Sequence, residues 1–279
     1  WSCHSTCLNT GKRFRFKQKE IGGNSIGITK DFNDIKVSFA VACSAAFPFM
    51  IAPMKLKTTD REFYNNWWTD NSVLNKAKLP KVLHLSDGGV YDNLGSESII
   101  KYKDPFIICD ASAFLEKWDY AKNPSWFSLA NRPLSTGLEQ VVLLRRRLLY
   151  HESKESYGIQ LLLRDPVETF IEDTGRFGKL SKRQFDLPKY KTLSLENQKL
   201  LSHLRTDLDG FHNIEIESLM WSGAAKIDVV IKRYLQDLVS SELIENVPKT
   251  PNYSADQISD ILKKGSKMKY FSNLHKTLN

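Results

Sequence analysis

Val82-Leu83-His84-Leu85-Ser86-Asp87-Gly88-Gly89 is a short apolar stretch that runs into an acidic turn with two glycines. Read as a strand, it carries an aspartate to its carboxyl end, where α/β sheets place their sites. Two glycines there let a loop or a substrate approach the backbone closely. Asp-Gly also makes ordinary turns, so the tripeptide alone decides little. Its surroundings add weight. Downstream, a helix is expected over 93–102, and Pro105-Phe106-Ile107-Ile108-Cys109 reads as a fully buried parallel strand closed by Asp110. Upstream, the small and apolar residues from Val37 to Ala45 predict a tight helix that Pro48 must end.

Further out, Phe14 and Phe16 alternate with Arg13, Arg15 and Lys17, which reads as a half-exposed hairpin region over 8–37. Thr136-Gly137-Leu138-Glu139 has the form of a capping box and predicts a helix to Leu149. Ile159 to Leu163 reads as a second buried strand, and Leu195 to Leu208 as an amphipathic helix. Apolar residues at helical spacing predict a long helix over 213–238, with a further helix over 255–264.

With 41% apolar residues in 279, the chain has ample material for a core, and disorder, coiled coil and collagen are excluded. No apolar run is long enough to span a bilayer, so a soluble or at most membrane-peripheral cytoplasmic protein is expected. Four cysteines, two of them in apolar runs, suit a reducing compartment. Cys3, His4 and Cys7 hold soft ligands, but the second pair of a structural zinc site is missing, so no metal is expected. The net charge of +8 is clustered at Arg145 to Arg147, Arg176 to Lys191 and Lys263 to Lys276. Solvated basic faces account for such runs, and an anionic lipid surface would also suit them. Nucleic acid is not expected as a partner, because no recognition motif accompanies the charge.

Two blocks in order, Ala42-Cys43-Ser44-Ala45-Ala46-Phe47-Pro48 and Asp87-Gly88-Gly89-Val90-Tyr91-Asp92-Asn93, resemble the A-x-S-A-A-x-P and D-G-[AG]-x-x-D-N elements of the patatin-like phospholipases. Thr10-Gly11-Lys12-Arg13-Phe14 resembles their T-G-x-x-F segment, and Leu204 to Met220 the end of bacterial-type members. The likeness covers roughly 8–235. It implies an α/β three-layer fold with a mostly parallel central sheet, here lacking its first strands. Residues 1–240 would then be the carboxyl-terminal portion of the hydrolase domain, with 57–81 an insertion or lid and 241–279 a polar basic tail.

The resemblance also implies lipid acyl ester hydrolysis by a Ser–Asp dyad without a cofactor. Asp87 takes the part of the base, with Gly88 and Gly89 completing its motif. A G-x-S-x-G elbow must present the serine between a buried strand and a helix. Gly23-Asn24-Ser25-Ile26-Gly27 matches that pattern literally, which makes Ser25 a nucleophile candidate. Its flanks do not suit an elbow, since 15–20 is highly charged and 28–33 is not helical in pattern, and in the family the nucleophile comes before T-G-x-x-F. The serine and the glycine-rich oxyanion loop are therefore expected upstream of Trp1. A triad in hydrolase order would instead use Ser25, Asp87 and His151 or His203. Phe47, Phe49 and Trp67-Trp68 are candidates to line an acyl pocket, and His84 to shape it. Asp92-Asn93 and Asp110 are more simply turn and strand-end residues. The alternative is a non-enzymatic pseudo-hydrolase or interaction subunit that lacks the nucleophile.

Overall fold

The structure, a computed structural model, describes residues 1–48, 51–65, 74, 79–100, 106–112, 125–155, 158–172, 186–205, 210–236 and 240–266. The chain divides into two compact units, Trp1–Lys101 with Asn123–Arg145, and Tyr102–Lys122 with Arg146–Asn279.

Tight turns build the first unit. The strands β1 (Ser2–Cys7) and β2 (Lys12–Lys17) form a hairpin whose turn holds Gly11 at φ 65°, a left-handed conformation that favours glycine. β3 (Ile21–Gly23) and β4 (Gly27–Thr29) continue it. Connections this short can join only antiparallel neighbours. β5 (Met54–Lys57) pairs antiparallel with β6 (Val82–Asp87), and β6 pairs antiparallel with β1. The result is a six-stranded sheet in the order β4-β3-β2-β1-β6-β5.

The expected mostly parallel central sheet is therefore corrected: every neighbour in the larger sheet is antiparallel. Among the described residues, parallel pairing is confined to β7 (Phe106–Asp110) and β8 (Gly158–Leu162) in the second unit. The sequence signal for parallel strands was real but local, because only those two runs are continuous and apolar.

On one face of the larger sheet Cys7, Phe14, Phe16, Ile21, Leu83 and Leu85 form a core with Ala40 and Cys43 of α1 (Val37–Ser44). Small side chains let α1 lie close to β1 and β6, while Val37 and Val41 stay exposed on its outer side. Beyond β6 the helix expected over 93–102 is broken within 93–100, the part that lies among the described residues. Two single turns, α2 (Gly89–Asp92) and α3 (Glu97–Ile100), flank a bend where Gly95 has φ 62°. The break falls at Gly95, whose left-handed backbone cannot continue a helix, and the Asp92 carboxylate accepts from the N–H groups of Leu94 and Glu97 on either side of it.

α4 (Trp126–Glu155) supplies residues to both units. Thr136 lies inside it and does not cap it; its hydroxyl donates to the Arg132 carbonyl one turn back, 2.8 Å away. In the second unit α5 (Val167–Glu172), α6 (Leu195–Leu201), α7 (Asn213–Tyr234), α8 (Ser241–Glu245) and α9 (Ala255–Ser266) accompany the parallel pair. α7 opens with a capping box formed by His212 and Glu215. Its Trp221, Ala225 and Val229 share a core with Phe170, Leu201, Ile258 and Leu262. No helix among the described residues is long and apolar enough to cross a membrane.

Candidate functional site

β6 brings Asp87 to the rim of the antiparallel sheet, and α1 holds it there. The Asp87 N–H donates to the Ala46 carbonyl (2.8 Å) and the Gly88 N–H to the Ser44 carbonyl (3.1 Å). The Ser86 hydroxyl also donates to Ala46, and Thr6 Oγ1 donates to the Asp87 carbonyl (2.8 Å). The Ala42–Pro48 block and the Asp87-Gly88-Gly89 turn, forty residues apart, thus share one set of backbone hydrogen bonds.

Neither glycine has a left-handed backbone, and at Gly88 packing against backbone requires the glycine. At Gly88 a Cβ would lie 2.5 Å from the His4 carbonyl oxygen of β1. At Gly89 it would lie 2.6 Å from Asn93 Oδ1 and 3.0 Å from Asp87 Oδ1. The Gly89 N–H donates to Asp87 Oδ1 at 2.6 Å.

Burial pushes the Asp87 carboxyl above the usual carboxylate range, and the Gly89 N–H partly opposes this. Among the described residues no cation pairs with it. Two other buried acids, Asp92 of the first unit and Asp110 of the second, differ. Asp92 is buried and accepts from Ser96 and two N–H groups, with Arg145 Nε 3.3 Å from Oδ1. Burial would also push Asp110 up, yet Arg146, 2.5 Å away, and Ser112 hold it below its usual value. Two of these carboxylates are paired with arginine, and Asp87, among the described residues, is not.

The other candidates are scattered. Ser25 is exposed in the turn between β3 and β4. β3 stands three strands from β6, about 14 Å away at the usual strand spacing. A turn between two strands is also not an elbow. His84 alternates with Asp87 along β6 and lies on the other face of the sheet. Phe47 is exposed beside Ala46, whereas Phe49 and Trp67-Trp68 lie outside the described residues. His203 is an exposed residue of the second unit, its Nδ1 2.8 Å from the Lys199 carbonyl, and His151 belongs to that unit too. Cys3 and Cys7 alternate with His4 along β1, so the three cannot converge on one ion; no group of three ligands for a metal stands among the described residues.

Sequence reasoning missed a charge cluster behind the loop. Arg13 reaches Glu97 (3.6 Å) and donates to Ser98 (2.8 Å), and Arg145 reaches Asp92 and Glu97 while its guanidinium lies 5.5 Å from the Tyr91 ring centre. Arg145 and Arg146, expected as part of a basic face, are thus engaged with buried carboxylates, and Arg147 is left exposed. The aspartate of the D-N pair was the available signal, since a buried carboxylate calls for a cation. In comparison with known proteins, the chain matches no protein-family model, no curated protein and no solved structure.

Proposed function

We propose that Asp87-Gly88-Gly89 is the proton-accepting part of a serine ester hydrolase site that cleaves acyl esters of phospholipids or related lipids. One observation carries this reading: Asp87 is a partly buried carboxylate, pushed toward protonation, fixed by a backbone N–H and unpaired with any cation among the described residues. It rests on the loop and not on the sheet, whose antiparallel order is not the one the resemblance implies. A serine hydroxyl attacking the ester carbonyl gives its proton to Asp87, and the serine oxygen bonds the acyl carbon. The alcohol leaves with that proton, and water then releases the acid by the same route. Backbone N–H groups must hold the oxyanion. In this reading the serine and those donors lie outside the described residues. We place the reaction in the cytoplasm at a membrane surface, in keeping with four free cysteines and exposed basic residues such as Arg147.

The non-enzymatic reading keeps one observation in its favour: among the described residues Ser5, opposite Asp87, is sealed from solvent, and Ser25 is strands away. A fluorophosphonate probe on the full natural polypeptide separates the two. Labelling of one serine that is lost in Asp87→Asn supports the hydrolase. An unlabelled protein that still folds supports the interaction subunit.

A further inference from the structure

Ser5 is fully buried, and among the described residues its Oγ has no hydrogen-bond partner. A hydroxyl closed off from water with nothing to bond is costly, and alanine would fill the same place without that cost. Its position suggests a task. Ser5 stands directly opposite Asp87 in the β1–β6 ladder. The Leu8 N–H donates across that ladder to the His84 carbonyl (2.8 Å), so hydrogen-bonded and non-hydrogen-bonded pairs alternate from there, and Ser5–Asp87 is of the second kind. The Asp87 N–H agrees, since it points away from β1 to Ala46. In such pairs the Cα atoms approach to about 4.5 Å and both side chains stand on one face. On its other side Ser5 faces Phe14, which offers no polar group.

The Asp87 carboxylate uses Oδ1 for the Gly89 N–H. We propose that Ser5 is a positioning residue for Asp87: by side-chain rotation its hydroxyl donates to Oδ2, so that a backbone N–H holds one carboxylate oxygen and a buried hydroxyl the other. Each carboxylate oxygen has two acceptor sites, so Oδ2 keeps one for an incoming proton. The contact stands on the ladder alone; its catalytic meaning rests on the hydrolase reading above.

The test is the titration of the Asp87 carboxyl, followed by carbon NMR in the 279-residue chain and in Ser5→Ala and Ser5→Thr. A donor stabilises the charged carboxylate, so its removal favours the protonated form. Ser5→Ala should raise the proton affinity of Asp87 about three- to tenfold. Ser5→Thr, which keeps the hydroxyl, should match the wild type. An unmoved midpoint in folded Ser5→Ala overturns the proposal. Should that chain not fold, Ser5→Cys, a weak donor that fills the site, is read by the same two outcomes. A raised midpoint in a protein that hydrolyses no ester keeps the contact and removes the hydrolase reading. Asp87-dependent hydrolysis with an unmoved midpoint does the reverse.

Discussion

Gly88→Ala tests whether the loop is as closely packed as described. Gly88 has φ −61° and ψ −30°, a conformation alanine adopts freely, so the backbone by itself would favour the change by about 0.4–1 kcal/mol through the unfolded chain. Packing opposes it. The new Cβ would sit 2.5 Å from the His4 carbonyl oxygen and 3.1 Å from its carbon, well inside normal contact. Both atoms are backbone of a strand paired on two sides, so relief requires the loop to lift. Lifting weakens the 3.1 Å bond from the Gly88 N–H to Ser44. Overpacking costs about 1–3 kcal/mol and the bond about 1 kcal/mol, which leaves a net loss of about 1–3 kcal/mol. Urea unfolding followed by circular dichroism reads this directly. Gly223→Ala is the control: it lies exposed in α7 with nothing within 4 Å of its Cβ, and should gain about 0.5–1 kcal/mol. A Gly88→Ala chain as stable as wild type would refute the packing of the turn against β1.

Asp92→Ala should cost about 2–4 kcal/mol in the same assay, because it leaves Arg145 with Glu97 as its one carboxylate and frees the Leu94 and Glu97 N–H groups and the Ser96 hydroxyl at a buried site; a loss under about 1 kcal/mol would show that the cluster is not closed. Burial pushes the Cys43 thiol up to about 12, and Cys43 and Cys7 are both buried while Cys109 is exposed. Native-state alkylation at pH 8, mapped by mass spectrometry, should therefore modify Cys109 and spare Cys43 and Cys7 until the chain unfolds. Burial pushes the Lys226 ammonium down to about 8, although Asp165 and Glu168 pull it up. The folded chain thus binds fewer protons than the unfolded one between that value and the ordinary lysine range. Stability should rise with pH across this window by about 3 kcal/mol, and the stability difference between Lys226→Met and wild type should change by that amount over the same span; a pH-independent difference would contradict the burial.

What sequence reveals here depends on whether the signal is local. Phe14 and Phe16 alternate with charged residues, and β2 is where that pattern puts it. The apolar runs of β7 and β8 and the helical period of α7 are legible for the same reason. β1 is not. Ser-Cys-His-Ser-Thr-Cys has no apolar alternation, and it becomes a strand because β2 and β6 pair with it on both sides. The antiparallel order of the sheet follows from β1 lying between them, so the sheet was illegible along with the strand. The helix expected over 93–102 is interrupted at Gly95, whose left-handed backbone no helical periodicity announces. At the site, Asp87 and its glycines could be read from their own tripeptide. Ser5 and Arg145 could not, because each acquires its role from a partner more than fifty residues away.

The most direct measurement is phospholipid acyl ester hydrolysis by the full natural polypeptide against its Asp87→Asn form. Asparagine keeps the shape and an oxygen for the Gly89 N–H but cannot take the proton. If Asp87 is the base, kcat falls by about 10²- to 10⁴-fold while folding is retained. A wild type without activity, or an Asp87→Asn form that keeps it, would contradict the assignment.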